Sequence, residues 1–259
     1  MIPLKTPAHI EAMREAGRRL AGVVEVLRDE VMVGLKTLDL DRRAHELIEA
    51  AGAEPAFLGY RATGSREAYP FTICLSLNDV VVHGRPSSYE LREGDLVKLD
   101  LGLRYRGWYV DTATTVVVGK PSELQKKLVA VTEEALRLAI QEAQVGNTVG
   151  DISSVVERYV VKNKFSVVKT LTGHGIGRAL HEEPSVPNFG KSGEGAVLEA
   201  GMVLAIEPMV ASGWGEDSSK TKQLPDDSFV TADGSLSAHF EHTVAITPDG
   251  PEILTKLES

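Results

Sequence analysis

The feature that most constrains this fold is a β-hairpin that carries two aspartates. The stretch "VKLDLGLRYRGWYVDTATTVVVG" (97–119) alternates apolar and polar residues before a polar turn and a β-branched run, a pattern typical of two paired strands. A two-residue loop at Tyr105 and Arg106 would set the register. Asp100 would then face Asp111, unless a bulge shifts the pairing by one residue. Directly opposed carboxylates repel each other, so something must compensate their charge.

Three explanations are open for these paired carboxylates. They can lie on an exposed face, as most aspartates do. They can share one proton, with one strongly raised pKa. They can also hold a divalent cation, whose charge turns their repulsion into attraction, but this explanation requires further ligands.

Length and charge narrow the class of protein. A chain of 259 residues can bury a large core, and its proportions of 42% apolar and 25% charged residues are those of a soluble globular protein. The 28 basic and 37 acidic residues give a net charge of -9. This sign disfavours the nucleic-acid backbone as a partner, so we expect no direct nucleic-acid substrate.

The single cysteine and the N-terminal segment indicate where the protein works. Cys74 alone excludes an internal disulfide and a multi-cysteine zinc module, which fits a reducing compartment. The first twenty residues carry charges through what would be the apolar core of a signal peptide, and no later apolar run approaches the length of a membrane span. We expect a cytoplasmic protein without membrane contact.

The order of predicted elements repeats along the chain. Helical periodicity predicts a first helix with Thr6 as its cap and Pro7 at its first position, and a second helix that begins at Thr37. Two more helices are predicted over 121–145 and 148–163. The first pair of helices is followed by predicted strands at 71–78 and 80–84 and by the hairpin. The second pair is followed by predicted strands at 165–173, 202–210 and 237–247. This order predicts two halves around one shared sheet, in one domain of residues 1–259. The polar excursions 59–70 and 213–228 are expected to border a site.

Further candidate ligands lie in the second half. Glu207 in "LAIEPMV" and Glu241 in "HFEHTVAI" are acids within apolar strands, and His174 lies between glycines in "TGHGIGRALHEEP". Each residue alone is as compatible with a structural role, for example as the partner of a buried arginine.

The combination of these residues favours the metal hypothesis. With Asp100 and Asp111, the two glutamates carry a formal charge of -4, which two divalent cations would neutralise. Oxygen-rich ligation with one imidazole suits cobalt, manganese, iron or zinc. Two ions about 3.5 to 4 Å apart can activate a water for hydrolysis at neutral pH.

Six motifs resemble those of the type I methionine aminopeptidases, in the same order and over nearly the whole chain: "NDVVVHG", "KLDLG", "DTATT", "GHGIGRALHEEP", "GMVLAIEPMV" and "SLSAHFEHT". The short spacing from His181 to Glu207 is similar to that of the short bacterial form. The resemblance implies the pita-bread fold, an α/β (α+β) arrangement of two pseudo-symmetric halves around a shared antiparallel sheet.

The resemblance also implies roles for individual residues. The ligands of a two-metal centre would be Asp100, Asp111, His174, Glu207 and Glu241. Among them, Asp111 and Glu241 would bridge both ions, and Glu207 would act as general base. His181 would hold the scissile carbonyl oxygen as it becomes an oxyanion, and His83 would contact the peptide amide and shuttle a proton.

A methionine pocket is implied by four residues, namely Phe57, Tyr60, Tyr69 and Cys74. Their aromatic edges and sulfur suit a thioether, although Phe57 and Cys74 are equally compatible with an ordinary core. The chain departs from the family pattern at three places. The loop between Tyr60 and Tyr69 is longer, Leu180 replaces a larger apolar residue, and "DDSF" near Asp227 lacks the usual tryptophan. These departures bear on side-chain selectivity.

The implied function is removal of the initiator methionine from nascent proteins whose second residue is small. The expected partners are nascent polypeptide N-termini, at the ribosome, and the expected state is a monomer. Two alternatives stay open: an X-Pro aminopeptidase or prolidase-like peptidase, and an inert binding protein on the same scaffold.

Overall fold

Four α-helices form two pairs, in the repeated order that the sequence predicts. A computed structural model describes residues 2–61, 64 and 66–257. The helices are α1 Pro7–Glu30, α2 Thr37–Ala50, α3 Glu123–Glu142 and α4 Val149–Lys162. The side chains of Thr6, Ser122 and Thr148 form capping boxes at the starts of α1, α3 and α4. Because Ser122 is the cap, α3 is shorter than the predicted helix 121–145.

The strands are mostly short, and all their pairs are antiparallel. In chain order they are β1 Glu54–Pro55, β2 Cys74–Leu77, β3 Val80–Val82, β4 Leu96–Tyr105, β5 Trp108–Val117, β6 Ser166–Val167, β7 Thr172–Gly175, β8 Glu182–Pro187, β9 Val203–Ile206, β10 Met209–Ala211, β11 Thr221–Gln223, β12 Phe229–Thr231, β13 Ser237–His239, β14 Glu241–Thr247 and β15 Gly250–Ile253.

One large sheet joins the two halves of the chain. Its order is β1-β4-β5-β14-β9-β7-β8, with β2 also on β4 and β15 on β14. The first core packs α1 and α2 against β2 and β4, and the second packs α3 and α4 against β9 and β14. Two smaller sheets, β13-β10-β6 and β11-β12-β3, complete the strands. The prediction of two helix-covered halves around a shared antiparallel sheet is confirmed.

The hairpin β4–β5 turns one residue later than predicted. Its loop consists of Arg106 and Gly107, and Tyr105 pairs with Trp108. Both loop residues have positive φ, at 50° and 79°, as in the two-residue turns whose twist matches that of the flanking strands. Glycine adopts this conformation without steric cost, which explains why the turn lies at Gly107.

The later turn changes the pairing of the two aspartates. Asp100 faces Ala113, and Asp111 faces Gly102, so the predicted direct opposition is wrong. The pairing moves by two residues, and side chains alternate between faces with a period of two. Both carboxylates therefore remain on the same face of the sheet, as diagonal neighbours.

Two of the predicted strands, 202–210 and 237–247, are interrupted in the middle. Glu207 and Pro208 separate β9 from β10, and Phe240 separates β13 from β14. In each case one part belongs to the large sheet and the other to the small sheet β13-β10-β6. Pro208 has no N–H to offer a ladder. The expectation that Glu207 lies on a strand is therefore wrong, and Glu241 is the first residue of β14.

Among the residues that the structure describes, no helix has the length and apolarity needed to cross a membrane.

Two glycines of α1 offer a matched test of the helix packing. A methyl group at Gly17 would overlap the carbonyl oxygen of Leu254, whereas one at Gly22 would meet no atom within 4 Å. We expect Gly17→Ala to lower the free energy of unfolding by about 1–3 kcal/mol through overpacking. Gly22→Ala should raise it by about 0.5–1 kcal/mol, because alanine is the better helix former. Urea denaturation of both variants measures the difference, and equal effects would contradict this packing.

Candidate metal centre

A cleft of about 220 Å³ brings together all the residues that the sequence analysis singled out. Its lining includes the predicted ligands Asp100, Asp111, His174, Glu207 and Glu241, the histidines His83 and His181, and the pocket residues Phe57, Tyr60, Tyr69 and Cys74. These residues come from both halves of the chain. The shared sheet is what makes them neighbours.

The acidic side chains in the cleft are buried. Asp100, Asp111 and Glu241 have exposed fractions of 8%, 4% and 2%, and the side chain of Glu207 has an exposed fraction of 11%. The explanation that the paired aspartates are simply solvated is therefore wrong. The remaining explanations are a shared proton and a bound cation.

Burial also sets the protonation of this cluster when no cation is bound. It raises the pKa of Asp100 and of Glu207 to about 7, because a charged carboxylate loses its hydration there. The pKa values of Asp111 and Glu241 are raised well above the usual range by burial and by the neighbouring carboxylates. At neutral pH the metal-free cluster therefore retains protons that a cation would displace.

His174 offers one ring nitrogen to this cluster. Its Nδ1 lies 2.8 Å from the carbonyl oxygen of Gly175, to which it donates. The lone pair is then on Nε2, which lies 3.7 Å from Oε1 of Glu207. Burial lowers the pKa of His174, which keeps the ring neutral and able to bind a metal.

The donor atoms fit a divalent cation. One ligand atom each from Asp111, His174 and Glu241 lies within 4.8 Å of the other two. Oε1 of Glu241 is buried without a hydrogen-bond partner among the described residues. A buried carboxylate oxygen without a donor is costly, and a bound cation would remove that cost.

Backbone and threonine contacts hold the two strands that carry Asp111 and Glu241. Oδ1 of Asp111 accepts the N–H of Thr112 at 2.9 Å, and the hydroxyl of Thr112 donates to the carbonyl oxygen of Glu241 at 2.6 Å. Thr243 accepts the N–H of Asp111 at 2.9 Å and donates to its carbonyl oxygen at 2.8 Å. These contacts fix β5 against β14, and so fix the spacing of the two carboxylates.

His83 and His181, which the family resemblance assigns to non-ligand roles, both line the cleft. Nδ1 of His181 is 2.6 Å from the hydroxyl of Tyr60, and its ring centroid is 4.3 Å from that of His174. His83 directly follows β3, has a φ of 58° and packs edge-to-face on Phe229. Burial lowers the pKa of both His83 and His181 to about 4, so both are neutral at pH 7.

The predicted methionine pocket is apolar and largely buried. Phe57, Cys74 and Leu180 line the cleft and also belong to the first core, so each both supports the core and faces the site. The hydroxyl of Tyr69 lies 2.8 Å from the carbonyl oxygen of Gly84, which holds its ring beside them. Burial raises the pKa of Cys74, so this thiol is uncharged.

The two polar excursions border the cleft. Glu67, Asp226 and Asp227 line it, and the backbone N–H of Arg66 donates to Oδ2 of Asp227 at 2.9 Å. The excursions therefore contact each other at the rim. Of the first, Ala62, Thr63 and Ser65 lie outside the described residues.

His239 is a residue of this cluster that the sequence analysis missed. It is 1% exposed, and its Nε2 lies 3.4 Å from Oε2 of Glu207 and 4.0 Å from Oε2 of Glu241. The available signal was its position two residues before Glu241 in "SAHFEHT". In an uninterrupted strand that spacing would place both residues on one face, although Phe240 separates the two strands in the structure.

Comparison with known proteins gives the family. The model of metallopeptidase family M24 matches residues 11–248. The chain belongs to this family. It is 48% identical to a methionine aminopeptidase of Clostridium perfringens, over 100% of both chains. It is also 43% identical to methionine aminopeptidase 1 of Bacillus subtilis, over 99% of this chain and 100% of that one.

Solved structures support the same family. A methionine aminopeptidase from Thermotoga maritima matches with a TM-score of 0.93 at 41% identity, over 99% of this chain and 100% of that chain. A prolidase from Pyrococcus horikoshii matches with a TM-score of 0.75 at 26% identity, over 98% of this chain but 64% of that chain. The predicted pita-bread fold of the M24 peptidases is confirmed, and membership of this metallopeptidase family implies that the protein uses a divalent metal.

Metal binding should release protons, because the raised pKa values leave the metal-free carboxylates largely protonated below pH 7. Titration of the chelator-treated protein with manganese near pH 6.5 should release about two or more protons per chain. Affinity should rise with pH as these carboxylates ionise. Calorimetry in buffers of different ionisation enthalpy counts the protons. Binding at pH 6.5 without proton release would contradict the protonated cluster.

Proposed function

We propose that the protein removes the N-terminal methionine from peptides and nascent proteins whose second residue is small. One observation carries this proposal: the four acids Asp100, Asp111, Glu207 and Glu241 line one cleft together with three histidines, in a chain that matches methionine aminopeptidases from end to end. The catalytic unit is the whole chain, 1–259, because both halves contribute to the cleft.

Five residues would hold two divalent ions, namely Asp100, Asp111, His174, Glu207 and Glu241. The four carboxylates carry -4 and two ions carry +4, so the buried site becomes neutral. Cobalt, manganese, iron or zinc suits these ligands. When bound, such ions act as Lewis acids and lower the pKa of water, which supplies a hydrolytic nucleophile at neutral pH.

Glu207 moves the proton in this reaction. Its carboxylate takes a proton from the attacking water and returns it to the amine of the departing peptide. Asn188 donates to the backbone oxygen of Glu207 at 3.0 Å and so holds the residue between the two sheets.

His181 stabilises the carbonyl oxygen as negative charge develops on it. In this role the Tyr60 hydroxyl, 2.6 Å from Nδ1 of His181, would donate to that nitrogen, which would leave the ring proton on Nε2. That N–H donates to the substrate oxygen in the tetrahedral transition state. His83 would contact the amide nitrogen of the scissile bond and relay to it the proton that Glu207 takes from the water, because a neutral imidazole can accept a proton on one nitrogen and donate one from the other.

The methionine side chain would occupy the apolar slot formed by Phe57, Tyr60, Tyr69 and Cys74. Leu180 and Met209 extend this lining, and aromatic edges and sulfur suit a thioether. Size exclusion at the second residue follows from a tight wall and contributes on the order of a few kcal/mol of discrimination. The substrates would be nascent N-termini in the cytoplasm, and the enzyme would act as a monomer.

Peptide preference tests this assignment against the X-Pro alternative. With equal manganese, a Met-Gly-X peptide should be cleaved with a much higher kcat/KM than an X-Pro peptide, because only the former presents a thioether to the slot. Mass spectrometry of the released residue measures the outcome. A preference for the X-Pro peptide would overturn the assignment, and absence of chelator-sensitive cleavage of either would favour the inert binding protein.

Two substitutions separate the roles of the acid and the histidine. Glu207→Gln should lower kcat on the order of 10²–10⁴-fold, because the amide cannot accept the proton. His181→Ala should lower kcat by about 10²–10³-fold while metal content is retained, because an oxyanion donor is lost and no ligand is removed.

Tyr60→Phe tests whether Tyr60 acts through His181. If Tyr60 acts by fixing the ring proton of His181, adding Tyr60→Phe to His181→Ala should cause little further loss. Elemental analysis accompanies each kinetic measurement. An empty site in His181→Ala would mean that His181 is a ligand and that this division of roles is wrong.

A further inference from the structure

We infer that His239 is a positioning residue, whose Nε2–H donates to the Glu207 carboxylate and holds it beside Glu241 in the arrangement that divalent cations require. His239 was not among the residues that the family motifs imply. The inference rests on the proposed metal centre and adds one residue to it.

The two ring nitrogens of His239 lack the hydrogen bonds that a buried structural histidine normally makes. His239 is buried, and both Nδ1 and Nε2 lack a hydrogen-bond partner among the described residues. Buried polar groups normally have partners, so an unpartnered imidazole indicates a contact that is completed by something else. Two carboxylate oxygens lie near Nε2, at 3.4 Å on Glu207 and 4.0 Å on Glu241.

The shorter of these distances lies just beyond a hydrogen bond. N–H···O contacts span about 2.7–3.2 Å, so a shift of a few tenths of an ångström would close the gap from His239 to Glu207.

The two oxygens of Glu207 face different imidazoles. Oε1 lies 3.7 Å from Nε2 of His174, and Oε2 lies 3.4 Å from Nε2 of His239. His174 directs its lone pair towards the ion, since its own proton is on Nδ1. His239 has no such constraint on Nδ1 and is free to direct its proton at Oε2. One oxygen is then available to the cation while the other is held by a donor.

The backbone of His239 is fixed from both sides. The hydroxyl of Thr115 accepts the N–H of His239 at 2.9 Å and donates to its carbonyl oxygen at 2.6 Å. Across the small sheet, His239 pairs with Met209, two residues after Glu207. A donor on so rigid a support can set the orientation of its acceptor, which is the requirement for a positioning residue.

The test compares His239→Met, which removes the donor, with His239→Gln, which keeps an N–H donor. The control is His242→Gln, because His242 lies on the adjoining strand and its Nδ1 contacts the hydroxyl of Thr255 at 2.9 Å. Calorimetry and the visible absorption of added cobalt measure affinity and the number of ions bound. Thermal unfolding of the chelator-treated proteins checks that each variant is folded.

We expect His239→Met to bind cobalt about 10–100-fold more weakly, with the same number of ions at saturation. His239→Gln should recover most of this loss, and His242→Gln should bind as the wild-type protein does. Unchanged affinity in His239→Met would overturn the inference. So would the loss of one cobalt ion with a changed spectrum, because His239 would then be a ligand. If the wild-type protein bound no cobalt, the proposed metal centre itself would fail.

A measurement on the unmodified protein covers the case in which His239→Met does not fold. In protein labelled with ¹⁵N-histidine, the Nε2–H signal of His239 should be protected from exchange and should shift when zinc is added. A deprotonated Nε2, or a shift typical of a metal-bound nitrogen, would contradict donation to Glu207.

Discussion

The structure depends on the burial of four carboxylates in one small volume. Repulsion between them is severe in a medium of low dielectric, and either protons or cations must compensate it. The surrounding elements hold the acids together against this repulsion. The hairpin β4–β5 places Asp100 and Asp111 on one face, and the threonine contacts between β5 and β14 fix Asp111 relative to Glu241. The protein tolerates this repulsion at a site whose donor atoms fit a divalent cation.

The position of Glu207 and His239 follows from two interruptions in otherwise apolar strands. β9 and β14 leave the large sheet at neighbouring points, and their continuations, β10 and β13, pair with each other. Side chains at such a change of sheet are directed by the backbone bend and do not follow the strict alternation of a strand. A glutamate and a histidine can therefore face the same acids, although neither belongs to the large sheet.

The helices and the site composition could be predicted from the sequence because their signals are local. Thr6 and Thr148 cap helices whose apolar residues recur at clear helical spacing. The acids of the site could be recognised because each lies within an apolar run. The hairpin register could not be predicted, because Arg106 adopts a positive φ, which is uncommon for residues other than glycine. Pro208 did signal a break that the apolar pattern hid. His239 could not be assigned to the site from the sequence, because only the non-local pairing of β13 with β10 brings it beside the acids.

The contact between the two excursions at the rim, through Arg66 and Asp227, has a consequence for which peptide bonds can be cut. A polypeptide bound at an internal peptide bond would have chain on both sides of that bond, and both parts would have to pass through the opening of the cleft. A free end needs to enter in one direction only. A rim bridged in this way favours the entry of a free chain end over that of an internal peptide bond.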